Sequence, residues 1–183
     1  ATHDETLGTV ARILGIFREL RKPALIDADA IKAMGRVRQA AEFPVVVTPH
    51  GGEFQVLSGR PPAADLRARS EEARSLAAAL GGTVLLKGHV DVISDGKRLK
   101  LNSAGNPGMT VGGTGDTLSG IVGALLAQGA DPFEAASAGA FLNGAAGDFA
   151  ASERGYHLLP SDLIDWIPRV MDNPMSHLKV RRQ

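Results

Sequence analysis

From Asn102 to Asp116 the chain reads N-S-A-G-N-P-G-M-T-V-G-G-T-G-D, with glycine at 105, 108, 112, 113 and 115. Glycine admits positive φ and lets backbone N–H groups approach a ligand that a side chain would hold off. After Asp116 the next charged residue is Asp131, and the intervening TLSGIVGALLAQGA has the composition of a helix enclosed on nearly every side. The pattern predicts that helix from about Thr114 to Gln128. Gly112, Gly113, Thr114 and Gly115 then stand at its amino end, where unpaired amides and a macrodipole equivalent to about half a positive charge suit a phosphate. Asp116 carries the wrong charge to hold a phosphate. It either caps the helix or acts on a substrate.

These groups need a scaffold. Leu7, Val10, Leu14 and Phe17 recur at helical spacing over residues 4–21, which Pro23 closes. ALIDA at 24–28 reads as a short buried strand, followed by a helical stretch to about Ala41. PVVVTP at 44–49 is a β-branched strand ended by proline. Gly51 and Gly52 precede a short helix to Ser58, and an Ala-, Arg- and Glu-rich helix fills 64–80 before Gly81 and Gly82. TVLLK at 83–87 is a third strand, and VDVIS at 90–94 with RLKLN at 98–102 forms a hairpin around Asp95-Gly96. Asp131, Pro132 and Glu134 supply an N-cap, an N1 proline and an N3 acid for a helix to about Ser152. A last helix spans about 161–171 before Pro174, and the tail KVRRQ is expected to fray.

Strands alternating with helices, then a helical cluster, predict a three-layer α/β/α domain with a mostly parallel sheet over residues 1–183. Ligands of such sheets bind at the carboxyl ends of the strands. That rule selects Asp27–Ala30, Thr48–Glu53, Lys87–Asp91 and the glycine-rich loop. Asp27 and Asp29 either cap the following helix or touch a substrate. Lys87 either pairs with a carboxylate or meets a ligand, and Glu53 starts a helix or orients metal-bound water. Asn102 and Asn106 are expected to shape the loop through side-chain to backbone bonds.

Composition removes several classes. The 183 residues carry no net formal charge, so nothing in the overall charge favours nucleic acid or an anionic membrane. Without cysteine there is no disulfide, thiolate nucleophile or thiolate zinc site. The five histidines are scattered without metal-ligand spacing. No apolar run reaches the roughly 18 to 20 residues of a membrane span. A cytoplasmic enzyme fits this profile.

Read together, the segments resemble the ADP/ATP-dependent NAD(P)H-hydrate dehydratases, a branch of the ribokinase-like superfamily. The glycine-rich loop is similar to theirs, as are DADAIKAM at 27–34, TPHGGEFQVLSG at 48–59, LLKGHVDVISDG at 85–96 and ADPFEAASAGAFLNGAAGD at 130–148. The likeness runs from Thr2 to about Met171. Gly51 replaces the proline of the family's TPHPGEF box, and His89-Val90-Asp91 stands where many members have Ala-His-Thr.

The resemblance implies a reaction and roles. Such enzymes phosphorylate the ring hydroxyl of hydrated NADH or NADPH (NADHX, NADPHX) and eliminate phosphate, a metabolite repair. By that likeness Asp116 is the general base and touches the substrate. His50 contacts the hydrated cofactor. Lys87, Gly88, His89, Val90 and Asp91, with Gly115, wall the AMP part of the nucleotide. The amides of Gly112, Gly113, Thr114 and Gly115 stabilise the transferred phosphoryl group. Mg²⁺ is expected on the phosphates, with no protein ligand assigned. The donor is ADP or ATP, with ADP favoured by likeness to prokaryotic members, and the protein is expected to be a homo-oligomer. Members of the family are longer at the amino end, so amino-terminal strands and part of the substrate site are expected outside this chain. An NAD(P)HX epimerase domain is a further expected companion. The rival readings are a ribokinase-like kinase of a hydroxymethylpyrimidine, thiazole or sugar, and a non-catalytic nucleotide-binding module.

Overall fold

The computed structural model describes residues 4–37 and 41–181. Its elements in chain order are α1 (Asp4–Glu19), β1 (Ala24–Ile26), α2 (Asp29–Val37), β2 (Val45–Val47), α3 (Gly51–Ser58), α4 (Leu66–Leu80), β3 (Thr83–Leu86), β4 (Asp91–Ser94), β5 (Leu99–Asn102), α5 (Thr114–Ala127), α6 (Pro132–Arg154), α7 (Pro160–Ile164), α8 (Ile167–Asp172) and α9 (Leu178–Arg181), with 3-10 turns at Pro107–Thr110 and Pro174–His177.

The strands lie in the order β1-β2-β3-β4-β5. β1, β2 and β3 are parallel, whereas β4 and β5 form an antiparallel hairpin on β3. Only β4 therefore runs against the others. The parallel strands are short apolar runs because both of their faces are covered. Alternation assigns the faces. Val84, Leu86 and Val92 pack with Phe54 of α3 and Ala73, Leu76 and Ala77 of α4. Val46, Leu85 and Ile93 point the other way, onto Leu118, Val122 and Leu126 of α5 and Phe133 and Ala136 of α6. Three layers result, as the alternating pattern predicts. Beyond the sheet, Leu142, Ala146 and Ala150 of α6 pack with Leu163 of α7 and Val170 of α8.

α6 starts as its sequence dictates. The Asp131 carboxylate accepts from the amides of Phe133 and Glu134, and Pro132 occupies the first turn. Arg98 ties the β4–β5 turn to this helix start, donating to Asp131 and lying 4.3 Å over the Phe133 ring.

Several expectations are corrected. The single helix expected over about 161–171 is two, α7 and α8. A continuous helix would drive the Pro168 ring into the Ile164 carbonyl, so the chain breaks at Asp165–Trp166 and Pro168 sits in the first turn of α8. α5 is not enclosed on nearly every side. Leu118, Val122 and Leu126 are buried, but Gly120, Ala124 and Ala127 are exposed, and apolar hollows flank the helix on both sides. Absence of charge permits burial, but only neighbouring elements can supply it. β1 stops at Ile26 because Ala28 adopts a left-handed φ of 52°. The part of the second helix expected over 38–40 lies outside the described residues. Of the tail expected to fray, Lys179–Arg181 lie in α9 and the last two residues lie outside the described part.

Candidate active site

The site lies where β3, the glycine-rich loop and the amino end of α5 meet. A cavity of about 410 Å³ is lined by Lys87, Gly88, His89 and Asp91 on one side and by Ala104–Pro107, Met109 and Thr110 on another. Thr114, Gly115 and Leu118 of α5 and Ala140, Asn143 and Gly144 of α6 close it.

The loop is held by its own polar side chains. Asn102 donates to the Asp91 carboxylate at 2.9 Å and to the Ala140 carbonyl at 3.2 Å, and accepts from the Ala104 amide. Asn106 accepts from the Gly108 amide and donates to the Gly147 carbonyl. Asp148, buried in α6, accepts from the Gly105 amide at 3.2 Å. Both asparagines thus shape the loop, as expected from their type. Glycines in α6 make the approach possible: a Cβ at Gly144 would lie 2.5 Å from the Ala104 carbonyl oxygen. Sequence reasoning missed Ala140, Asn143 and Gly144 as site residues. The signal available was the spacing of Gly139, Gly144 and Gly147 within one helix.

Gly113 is the N-cap of α5, with φ 103°, and a Cβ there would strike the Pro160 ring at 2.7 Å. Thr114 locks the junction by donating its hydroxyl to the Met109 carbonyl at 2.8 Å. Asp116, in the first turn, does not cap the helix. Its side chain is exposed and makes no hydrogen bond or ion pair among the described residues. Thr114 and Gly115 line the cavity just described, whereas Gly113 and Asp116 line a groove of about 650 Å³ on the other side of the same turn. The helix start therefore separates two hollows, with amides at the boundary and a free carboxylate beside it. Gly112 and Val90 line neither hollow.

Lys87 takes the first alternative set out for it, pairing with a carboxylate. It lines the cavity and its ammonium lies 3.0 Å from the Asp27 carboxylate, 3.9 Å from Glu53, and beside Gly115, where a Cβ would be 3.7 Å away. The second Asp27 oxygen accepts from the Ser119 hydroxyl of α5 at 2.8 Å. Asp27 thus neither caps α2 with its side chain nor faces open solvent; it links β1, β3 and α5. Burial works against its charge, but the Ser119 hydroxyl, the Lys87 ammonium and Thr48 outweigh it and hold the carboxyl below its usual range. In Asp91 burial wins and pushes the carboxyl up, despite bonds from Asn102 and the Gly88 amide. Both Asp91 oxygens are engaged in fixing the turn Lys87–Asp91.

His50 stands apart from both hollows. It caps α3, accepting at Nδ1 from the amides of Gly52 and Glu53, and Glu53 completes a capping box by accepting from the His50 amide at 2.9 Å. Its ring is largely exposed at the carboxyl end of β2. Glu53 starts this helix and also faces Lys87. Among the described residues no cluster of three or more histidine or acidic side chains could hold a metal.

A sequence model of the family described as NAD(P)H-hydrate dehydratase matches residues 5–169. The chain belongs to this family. Among relatives, it is 53% identical over 158 residues to a bifunctional NAD(P)H-hydrate repair enzyme Nnr from Pyrobaculum aerophilum, a match covering 85% of the chain and 31% of that enzyme. In structure it is similar to a ribokinase-like superfamily protein from Enterococcus faecalis, with a TM-score of 0.80 at 30% identity, covering 94% of the chain and 60% of that protein. It is also similar to the ADP/ATP-dependent NAD(P)H-hydrate dehydratase of Bacillus subtilis co-crystallised with ATP and Mg²⁺, with a TM-score of 0.71 at 35% identity, covering 82% and 54% of the two chains. The ribokinase-like, three-layer α/β/α architecture and family membership expected from the motifs are thus established. The chain spans about a third of the repair enzyme and little more than half of these solved family structures.

Proposed function

We propose that the protein dehydrates the hydrates of NADH and NADPH using ADP or ATP as phosphoryl donor. The observation that carries this reading is the free Asp116 carboxylate in the first turn of α5, beside the amides that close the Lys87–Asp91 and loop cavity. Family membership and the likeness to an ADP/ATP-dependent dehydratase support it.

In this reading the nucleotide lies in the cavity between Lys87–Asp91 and the loop, with its phosphates on the amides of Gly112–Gly115 and beside the Lys87 ammonium. The ring hydroxyl of the hydrate comes to the Asp116 side of the turn. Asp116 accepts the hydroxyl proton as the oxygen bonds to the terminal phosphorus and the nucleotide leaves with one phosphate fewer. Hydroxide is a poor leaving group and phosphate a good one. The lone pair of the ring nitrogen expels phosphate, and loss of a proton from the neighbouring ring carbon restores the dihydronicotinamide. The amides and Lys87 stabilise charge on the phosphoryl group in flight. Mg²⁺, bound with the phosphates, would neutralise part of their charge. His50, at the end of β2 with its ring largely exposed and its Nε2 beside Glu53, meets the hydrated cofactor in this reading. Membership of a larger protein with an epimerase unit is proposed on the same footing, as is homo-oligomer formation, and a cytoplasmic location suits the substrates.

The test offers the purified protein NADHX or NADPHX with ADP or ATP and Mg²⁺ and follows dihydronicotinamide absorbance. Return of absorbance that depends on nucleotide is expected. Nucleotide consumption with a simple alcohol but none with either hydrate would favour the kinase reading instead.

A further inference from the structure

The turn Lys87–Asp91 forms one wall of the cavity, yet it is irregular, and Gly88 and His89 are exposed. Its start is anchored by the Lys87 amide, which donates to the Pro49 carbonyl at 2.9 Å. From Gly88 to Val90 the bonds run to side chains. The Gly88 amide donates to Asp91 at 3.0 Å, and the Val90 carbonyl accepts from the Arg69 guanidinium of α4. An exposed turn without regular structure samples several conformations unless such bonds select one.

Arg69 reaches the turn from behind. It does not line the cavity, and Val90, whose carbonyl it holds, lines neither hollow. Gly88 makes room for it. That glycine has no left-handed φ, so its backbone conformation does not require glycine, but a Cβ there would lie 3.1 Å from Arg69 Nη1. The guanidinium thus lies against the turn at both Gly88 and Val90. Its charge also acts on Asp91, against the effect of burial, and favours the carboxylate that receives the Gly88 amide. This placement costs stability. Arg69 is half-buried and its Nε is buried without a hydrogen-bond partner among the described residues, although an arginine on a helix can extend its head into water. An unsatisfied buried donor of this kind calls for a reason, and the turn supplies one.

We propose that Arg69 is a positioning residue for the nucleotide, holding the Lys87–Asp91 turn in its binding shape from the side away from the ligand. This rests on the reading that the nucleotide occupies the cavity with its AMP part on that turn. Arg69 touches no ligand; it acts through the Val90 carbonyl and the Gly88 backbone.

Calorimetry of ADP in the presence of Mg²⁺ tests this on wild type, Arg69→Met and Arg69→Lys. Methionine keeps an unbranched stem for packing and removes the charge and the donors, whereas lysine restores one charge and a donor. ADP is expected to bind Arg69→Met about five- to tenfold more weakly than wild type, and Arg69→Lys within about threefold of it. Hydrogen exchange of the Gly88–Val90 amides is expected to quicken in Arg69→Met while the amides of α4 keep their wild-type rates. A residue that only supported its helix would give the reverse. Thermal melting establishes that each variant is folded. Wild-type ADP affinity in a folded Arg69→Met would overturn the inference and leave the proposed function standing. So would a lysine variant as weak as the methionine one, quickened exchange throughout α4, or failure of both variants to fold. A wild-type chain that binds no ADP would overturn this inference together with the proposed function.

Discussion

Asp116 and Asp27 are both aspartates at the site, and their surroundings make them different groups. Asp116 is exposed and has no partner among the described residues, so in the proposed reaction its carboxylate is available to a substrate proton. Asp116→Asn keeps the size and removes the acceptor. Turnover is expected to fall about 10²- to 10⁴-fold, or ~3 to 5 kcal/mol of barrier, with nucleotide affinity held or slightly raised as a negative charge leaves the phosphate end. Steady-state kinetics with direct ADP titration separates the two quantities, and near wild-type turnover would remove Asp116 as the base. Asp27 is engaged by Ser119 and Lys87 and its pKa is lowered. A group depressed in the folded state adds stability that is full above its unfolded value, about 3.9, and is lost as pH falls through the folded value. Asp27→Asn should therefore lower stability at pH 7 and flatten the acid limb of the stability curve below about pH 4. Denaturant melts between pH 2 and 7 check this, and parallel curves for variant and wild type would contradict it.

At the scale of elements, α6 does more than its sequence advertises. One face closes the sheet layer, and its small residues admit the glycine-rich loop. A methyl group at Gly144 cannot coexist with the Ala104 carbonyl at 2.5 Å, so Gly144→Ala must push the loop or the helix aside. We expect a loss of about 1 to 3 kcal/mol in stability and weakened ADP binding, measured by melting and titration. An unchanged affinity would mean that the loop does not shape the cavity proposed for the nucleotide. The N-cap gives a smaller and purely structural effect. Asp131→Ala removes the acceptor for the Phe133 and Glu134 amides and the partner of Arg98. About 1 kcal/mol is expected, a drop of roughly 2 to 4 °C in Tm, with nucleotide binding unchanged.

Across the whole molecule, burial is uneven. Strands β2 and β3 are fully buried, and α6 is buried along most of its length. α5 is buried along one stripe, and in α1 only Leu7 is buried while Ile13 and Ile16 are exposed. Hydrogen exchange should follow that order. The amides of α6 and β3 are expected to exchange only on global unfolding, and those of α1 by local opening several orders of magnitude faster. Equal protection of α1 and α6 would show that α1 is covered in solution by something beyond the described residues.

Which of these features were legible in the chain itself depends on the distance over which they are set. Local chemistry was readable: the Asp131-Pro132 helix start, the asparagines that fold the loop, the all-valine strand β2 and the glycines before α5 each act within a few residues. Element order gave the layers, because strands alternating with helices cover both faces of a mostly parallel sheet. Long-range pairings were another matter. Nothing in the residue types decided whether Asp27 would cap α2 or reach Lys87 and Ser119, 60 and 92 positions away. The absence of charge in α5 showed that it could be buried, and only the placement of its neighbours decided that one stripe would be. Asn143 is the sharpest case. In sequence it is one polar residue in a small-residue helix; the tertiary structure alone brings its amide nitrogen to the Thr114 carbonyl and buries its oxygen without a partner among the described residues. Short-range preferences are written in residue type, whereas a partner is chosen by which surfaces the whole chain brings together.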